Sequence, residues 1–138
     1  MAALGINLLA VLVAAVVTFA LGALWYSPLL FAKAWVAANG FTPEKVEAMR
    51  KGAGKAYSVT FLCWLVMAAA LAVLIHRLGV NTAIGGVKVG GLCWAGFAAT
   101  VGLSGLVFSE RRPAAFLIDT GYQLVSLVGM GVILSLWQ

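Results

Sequence analysis

The chain has 138 residues, of which 64% are hydrophobic and only 9% charged, with a mean hydropathy of +1.07. A soluble domain of this length is about half apolar and about a quarter charged, so the surplus apolar surface belongs in lipid. A net charge of +5 is too small to be a nucleic-acid footprint, and a single histidine excludes a two-histidine metal or haem site within one protomer.

The first apolar run covers residues 4–26. It is too long, and too poor in basic residues at its start, for a cleaved signal peptide, and reads as a span that stays. Asn7, Ala14, Thr18, Gly22 and Trp25 recur at spacings of three, four or seven, which gives one small, weakly polar face for helix contacts in lipid. Trp25 and Tyr26 close the span at headgroup level. Ser27-Pro28 then breaks the helix, because the residue before proline is driven out of helical geometry. Residues 29–39, with Phe31 and Trp35 four apart, are too few to cross and read as an amphipathic interfacial helix that Gly40 ends. Thr42-Pro43-Glu44 has the order of a helix start. The polar helix it opens, residues 43–50, dissolves into a loop at residues 51–55.

Span two covers residues 57–78 and finishes on His76-Arg77, which suit the negative end of a helix dipole. Span three, residues 83–108, starts from Thr82 and carries seven glycines, at 85, 86, 90, 91, 96, 102 and 105. Gly86 and Gly90 form a GxxxG, and so many glycines predict that this helix sits at the centre of the bundle. Trp94 lies near mid-membrane, filling a groove against span one or lining a cavity. Lys88 snorkels outward, and Cys63 and Cys93 are small apolar fillers inside spans. Span four, residues 113–137, opens on Pro113 and holds Asp119, about 9 Å further along the helix axis. Tyr122, Ser126 and Gly129 share the face of Asp119, with Gln123 one turn on. The expected fold is a single all-α membrane domain of four transmembrane helices. An interfacial amphipathic helix and a polar cytoplasmic helix lie between spans one and two.

Seven of the nine basic residues fall on one side of this layout: Lys33, Lys45, Arg50, Lys51, Lys55, Arg111 and Arg112. Only Arg77 and Lys88 fall on the other. The excess predicts loops 27–56 and 109–112 in the cytoplasm and both termini outside.

No nucleophile elbow, Walker loop, zinc cluster or dinucleotide fingerprint is present, so no catalytic residue, metal or cofactor is assigned. Asp119 is the sharpest candidate, because an acid inside a span is costly and usually faces the bundle interior or a wet cavity. It is either a proton- or cation-responsive carboxylate, with Tyr122 and Gln123 beside it, or a structural partner of Arg112 seven residues back. The run Glu110-Arg111-Arg112 either grips a lipid phosphate or acts as an orientation signal with a turn-level salt bridge. Trp25, Tyr26 and Trp35 either wall an apolar slot or form an aromatic belt.

Two stretches together, Gly22-Ala23-Leu24-Trp25-Tyr26-Ser27-Pro28 with Phe31 and Trp35, and Glu110-Arg111 followed by Phe116, Ile118, Gly121 and Tyr122, resemble the bacterial family known as domain of unknown function 1761. The chain departs from that pattern in placing Asp119-Thr120 before the Gly-Tyr pair. The resemblance covers nearly the whole chain and implies a small integral protein of the bacterial inner membrane, with no particular activity. The favoured reading is a binding or accessory module, homo-oligomeric through glycine-rich faces, that holds a lipid or other apolar molecule or docks on a larger membrane complex. The alternative is a small homo-oligomeric transporter or channel with an acidic site at Asp119. A membrane enzyme comes a distant third. The partners expected are the bilayer, further copies of the chain and an apolar small molecule, and no nucleic acid.

Overall fold

A computed structural model describes residues 5–138, and over them the chain is helical with no strand. The expected start of span one at Leu4 lies outside the described residues. Asn7 sets the first observed turn, its side-chain oxygen accepting from the N–H groups of Leu9 and Ala10 at 3.0 and 3.2 Å, and α1 runs Leu8–Trp25. The break at Ser27-Pro28 is where the sequence puts it. Ser27 Oγ donates to the Leu24 carbonyl at 2.7 Å, satisfying an acceptor that the ended helix leaves open.

Helix α2, Ala32–Asn39, stops at Gly40, which takes the left-handed conformation at φ 67° that glycine alone adopts without cost. Thr42 caps α3, Pro43–Lys51, by accepting from the Lys45 N–H at 3.2 Å. The loop expected at 51–55 is shorter than that. Only Gly52 interrupts, and α4 runs Ala53–Arg77, four residues earlier than the apolar pattern suggests. A helix already committed to 25 residues extends through Gly54 for about 1 kcal/mol, a small cost beside that of starting afresh. His76 and Arg77 lie in its last turn as expected.

Thr82 caps span three by accepting from the Gly85 N–H at 3.1 Å. The span is one rod, Ala83–Phe108, made of α5, Ala83–Cys93, a π-helical turn, Trp94–Ala98, and α6, Ala99–Phe108. Span four is α7, Pro113–Leu136, with proline in the first turn, where its missing N–H costs nothing. Among the described residues four helices are therefore long and apolar enough to cross a membrane, and the chain is a multi-pass membrane protein.

The centre of the bundle is span four, not span three. Helix α7 packs on α1, α4, α5 and α2, and buries Ala115, Tyr122, Leu127, Met130 and Leu134. Around it lie Ala10, Ala14 and Ala15 of α1 and Ala68, Leu71 and Ile75 of α4. Span three lies to one side. Its GxxxG does make the close approach: a Cβ on Gly86 would run into the Gly131 carbonyl and Ser135 Oγ, and one on Gly90 into the Leu127 carbonyl. Gly91, Gly96 and Gly105 face open space, and α6 buries no residue. Gly86 and Gly90 make a backbone seam with span four, and Gly102 lies against Phe116 of the same helix; none extends the seam to a second neighbour. Because α4 and α5 scarcely touch, an apolar cleft of about 600 Å³ opens between spans two and three, lined by Trp64, Leu71, Cys93, Phe97, Gln123 and Leu127 among others.

Candidate functional site

Asp119 sits in the second turn of α7, about 9 Å along the axis from Pro113, with its side chain 24% exposed. Three donors from three different parts of the chain converge on it. Tyr26, the residue after span one, donates its hydroxyl to Oδ1 at 2.7 Å. Trp35, from α2, donates its indole N–H to the same oxygen at 3.0 Å. Arg111, from the turn before span four, donates to Oδ2 at 2.6 Å in an ion pair. A carboxylate offers about four acceptor positions, so three are filled. Burial first, and then the hydrogen bond to Asp119, push the Tyr26 phenol above its ordinary value, so it stays protonated and remains a donor to the carboxylate.

The residues flanking Asp119 are anchors as well. Trp25 donates to the Ile118 carbonyl at 3.1 Å. Trp94 donates to the carbonyl and the hydroxyl of Thr120 at 2.9 and 3.1 Å, so it packs on span four rather than against span one. Three consecutive residues of α7 thus each hold one indole. Three residues on, Tyr122 donates to the Thr18 carbonyl at 2.9 Å and lies edge-on to Tyr26 and Trp64, with ring centroids 5.4 and 5.3 Å apart. The approach is close because Gly22 leaves room: a Cβ there would fall 2.5 Å from the Tyr122 hydroxyl oxygen.

Beside the carboxylate lies a cleft of about 590 Å³, bounded by Phe19, Ala23, Tyr26, Trp35, Tyr57 and Asp119, with Gly22, Ala56, Thr60 and Tyr122 completing its wall. Five of these side chains are aromatic and one is charged. Ala23, Ala56, Tyr57 and Thr60 are exposed, so the cleft opens sideways between spans one and two. Among the described residues no cluster of three or more His, Cys, Asp or Glu stands ready for a metal ion.

The candidates divide cleanly. Asp119, Tyr122, Trp25, Tyr26, Trp35 and Arg111 come together. Glu110 does not: it is exposed at φ 54° and takes part in neither of the two ion pairs seen among the described residues. Arg112 is not the partner of Asp119. It occupies the N-cap position of α7 in extended geometry and donates to the Ala37 carbonyl of α2 at 3.3 Å, leaving Arg111 to fold back over the first turn. Gln123 lines the other cleft, between spans two and three. Sequence reasoning missed Phe19, Tyr57 and Thr60. The signal was there for two of them, since Phe19 precedes Ala23 by one turn and Tyr57 opens the apolar run of span two.

No match was found for the chain among curated proteins or among solved structures. A family model does match, over residues 9–135, and its reach takes in nearly all of span one, the loops at residues 27–56 and 109–112 and the whole of the Asp119 site. The chain therefore belongs to the family described as "Protein of unknown function (DUF1761)".

Proposed function

We propose that this protein is an inner-membrane binding module that holds an apolar small molecule in the cleft beside Asp119. The observation that carries the reading is the cleft itself. Its volume of about 590 Å³ is in the range of sites for drug-sized ligands, and its wall is aromatic and aliphatic with a single charged group at one edge. A lateral opening toward the bilayer suits a ligand that partitions into lipid before it binds. Past Tyr122 the bundle is filled mainly by Ala14, Ala15, Ala68, Leu71 and Met130, with only the small hydroxyls of Ser126 and Ser135 buried among the described residues there, which favours holding over conducting. We place this end of the bundle on the cytoplasmic side, supported by seven of nine basic residues lying there.

The test is native mass spectrometry of the full chain, gently extracted in a mild detergent, beside an Ala23→Trp variant that fills the cleft. A stoichiometric adduct on the unaltered chain, lost in the variant, is the expected result. An adduct that survives in Ala23→Trp, or none on either protein, overturns the reading.

A further inference from the structure

We infer that the ligand of this cleft is a lipophilic organic cation, whose positive charge takes the place of Arg111 beside Asp119; the inference rests on the binding reading above. The charge of the wall comes first. Among the described residues Asp119 is its only charged one, and no lysine, arginine or histidine lines the cleft, so an anionic amphiphile would meet a carboxylate with no cation facing it from the wall.

The three donors to Asp119 differ in how firmly they are held. Tyr26 is wedged edge-on between Trp35 and Tyr122, at centroid distances of 5.8 and 5.4 Å, and Trp35 is backed by Phe41 at 5.3 Å. Arg111, by contrast, has a side chain 43% exposed and stands next to Glu110, whose backbone takes a left-handed conformation rare outside glycine. It is the resident cation that water can most easily receive back. A ligand cation at Asp119 keeps the two aromatic hydrogen bonds and exchanges only that partner.

The rest of the wall selects what kind of cation enters. Phe19, Tyr26, Trp35, Tyr57 and Tyr122 supply an aromatic lining, and aromatic rings attract a poorly hydrated positive charge. A small metal ion is not served here, since hard cations need six or more oxygen ligands and the cleft offers one carboxylate with two of its acceptor positions held by aromatic donors. A cation with bulky aromatic or alkyl substituents fits both the charge and the volume.

Equilibrium dialysis of the full chain in mild detergent tests this with three tetrahedral probes of one shape: tetraphenylphosphonium, tetraphenylborate and neutral tetraphenylsilane. The expected result is saturable binding of tetraphenylphosphonium alone, weakened at least tenfold in Asp119→Asn and tightened severalfold in Arg111→Gln, where the competitor is gone. Weaker binding in Arg111→Gln overturns the exchange, and the folded state of that variant is checked by its thermal midpoint. If all three probes bind alike and all are lost in Ala23→Trp, the cleft remains a binding site and the cation selectivity is wrong. If none binds saturably, while the native adduct is still seen on the unaltered chain, the inference falls and the binding reading stands. No probe and no adduct ends both.

Discussion

At the scale of single residues, Asp119 is the point where the charged turn, α2 and the end of span one are tied to span four. Its substitutions separate charge from hydrogen bonding. Asp119→Asn keeps an acceptor oxygen for Tyr26 and Trp35 and loses the attraction of a partly exposed Arg111, so it should cost about 1 kcal/mol. Asp119→Leu leaves the Tyr26 hydroxyl and the Trp35 indole N–H without acceptors, and should cost about 2–4 kcal/mol. Thermal unfolding of both variants in one detergent decides between them. Equal midpoints would mean that the two aromatic hydrogen bonds contribute nothing to stability. Arg111→Gln, which touches an ion pair 43% exposed on the arginine side, is expected to shift the midpoint least of the three, by less than about 1 kcal/mol.

At the scale of elements, the seam between α5 and α7 is where backbone approaches backbone. Gly86→Leu or Gly90→Leu must force the two helices apart, because the obstacles are the carbonyls of Gly131 and Leu127 rather than side chains that can swing away. We expect a loss of folded protein on expression, or a thermal midpoint lower by ten degrees or more. Gly91→Ala and Gly105→Ala put a methyl into open space within a regular helix. They should be neutral, or stabilise by up to about 1 kcal/mol through helix propensity, measured in the same unfolding assay. The contrast shows what was legible beforehand. The four spans, the break at Ser27-Pro28 and the caps at Thr42 and Thr82 follow from local chemistry and were readable. The GxxxG spacing marked Gly86 and Gly90, which do meet a neighbour. That the neighbour is span four and that the rod lies to one side depend on where the other helices pack, and no spacing records that. The partner of Asp119 was hidden for a similar reason. Periodicity favours Arg112, but the choice of Arg111 is made by a turn whose path depends on the left-handed Glu110 and on the Ala37 carbonyl that claims Arg112. The indoles of Trp25, Trp35 and Trp94 read as belt or filling, and their N–H groups found acceptors only once span four was in place.

At the scale of the whole molecule, the proposed orientation makes a clear prediction. In intact cells, an impermeant maleimide should label a Gln138→Cys variant and leave Glu47→Cys unlabelled until the membrane is opened. This is best read in a background where the native Cys63 and Cys93 are replaced by alanine. Labelling of Glu47→Cys in sealed cells would invert the molecule and place the cleft on the outer side. A last consequence follows from span four being the hub. It is made after spans one to three, which therefore enter the bilayer before the helix they pack around exists. Spans one and two have each other in the meantime, but span three has almost no partner of its own, and Tyr26 and Trp35 wait at the surface with donors unmet. Assembly of the bundle therefore waits for span four. A chain interrupted before Pro113 is left visibly unfinished, with loose glycine-rich helix and unclaimed indoles as its marks, so a closed bundle is its own sign that span four has been made.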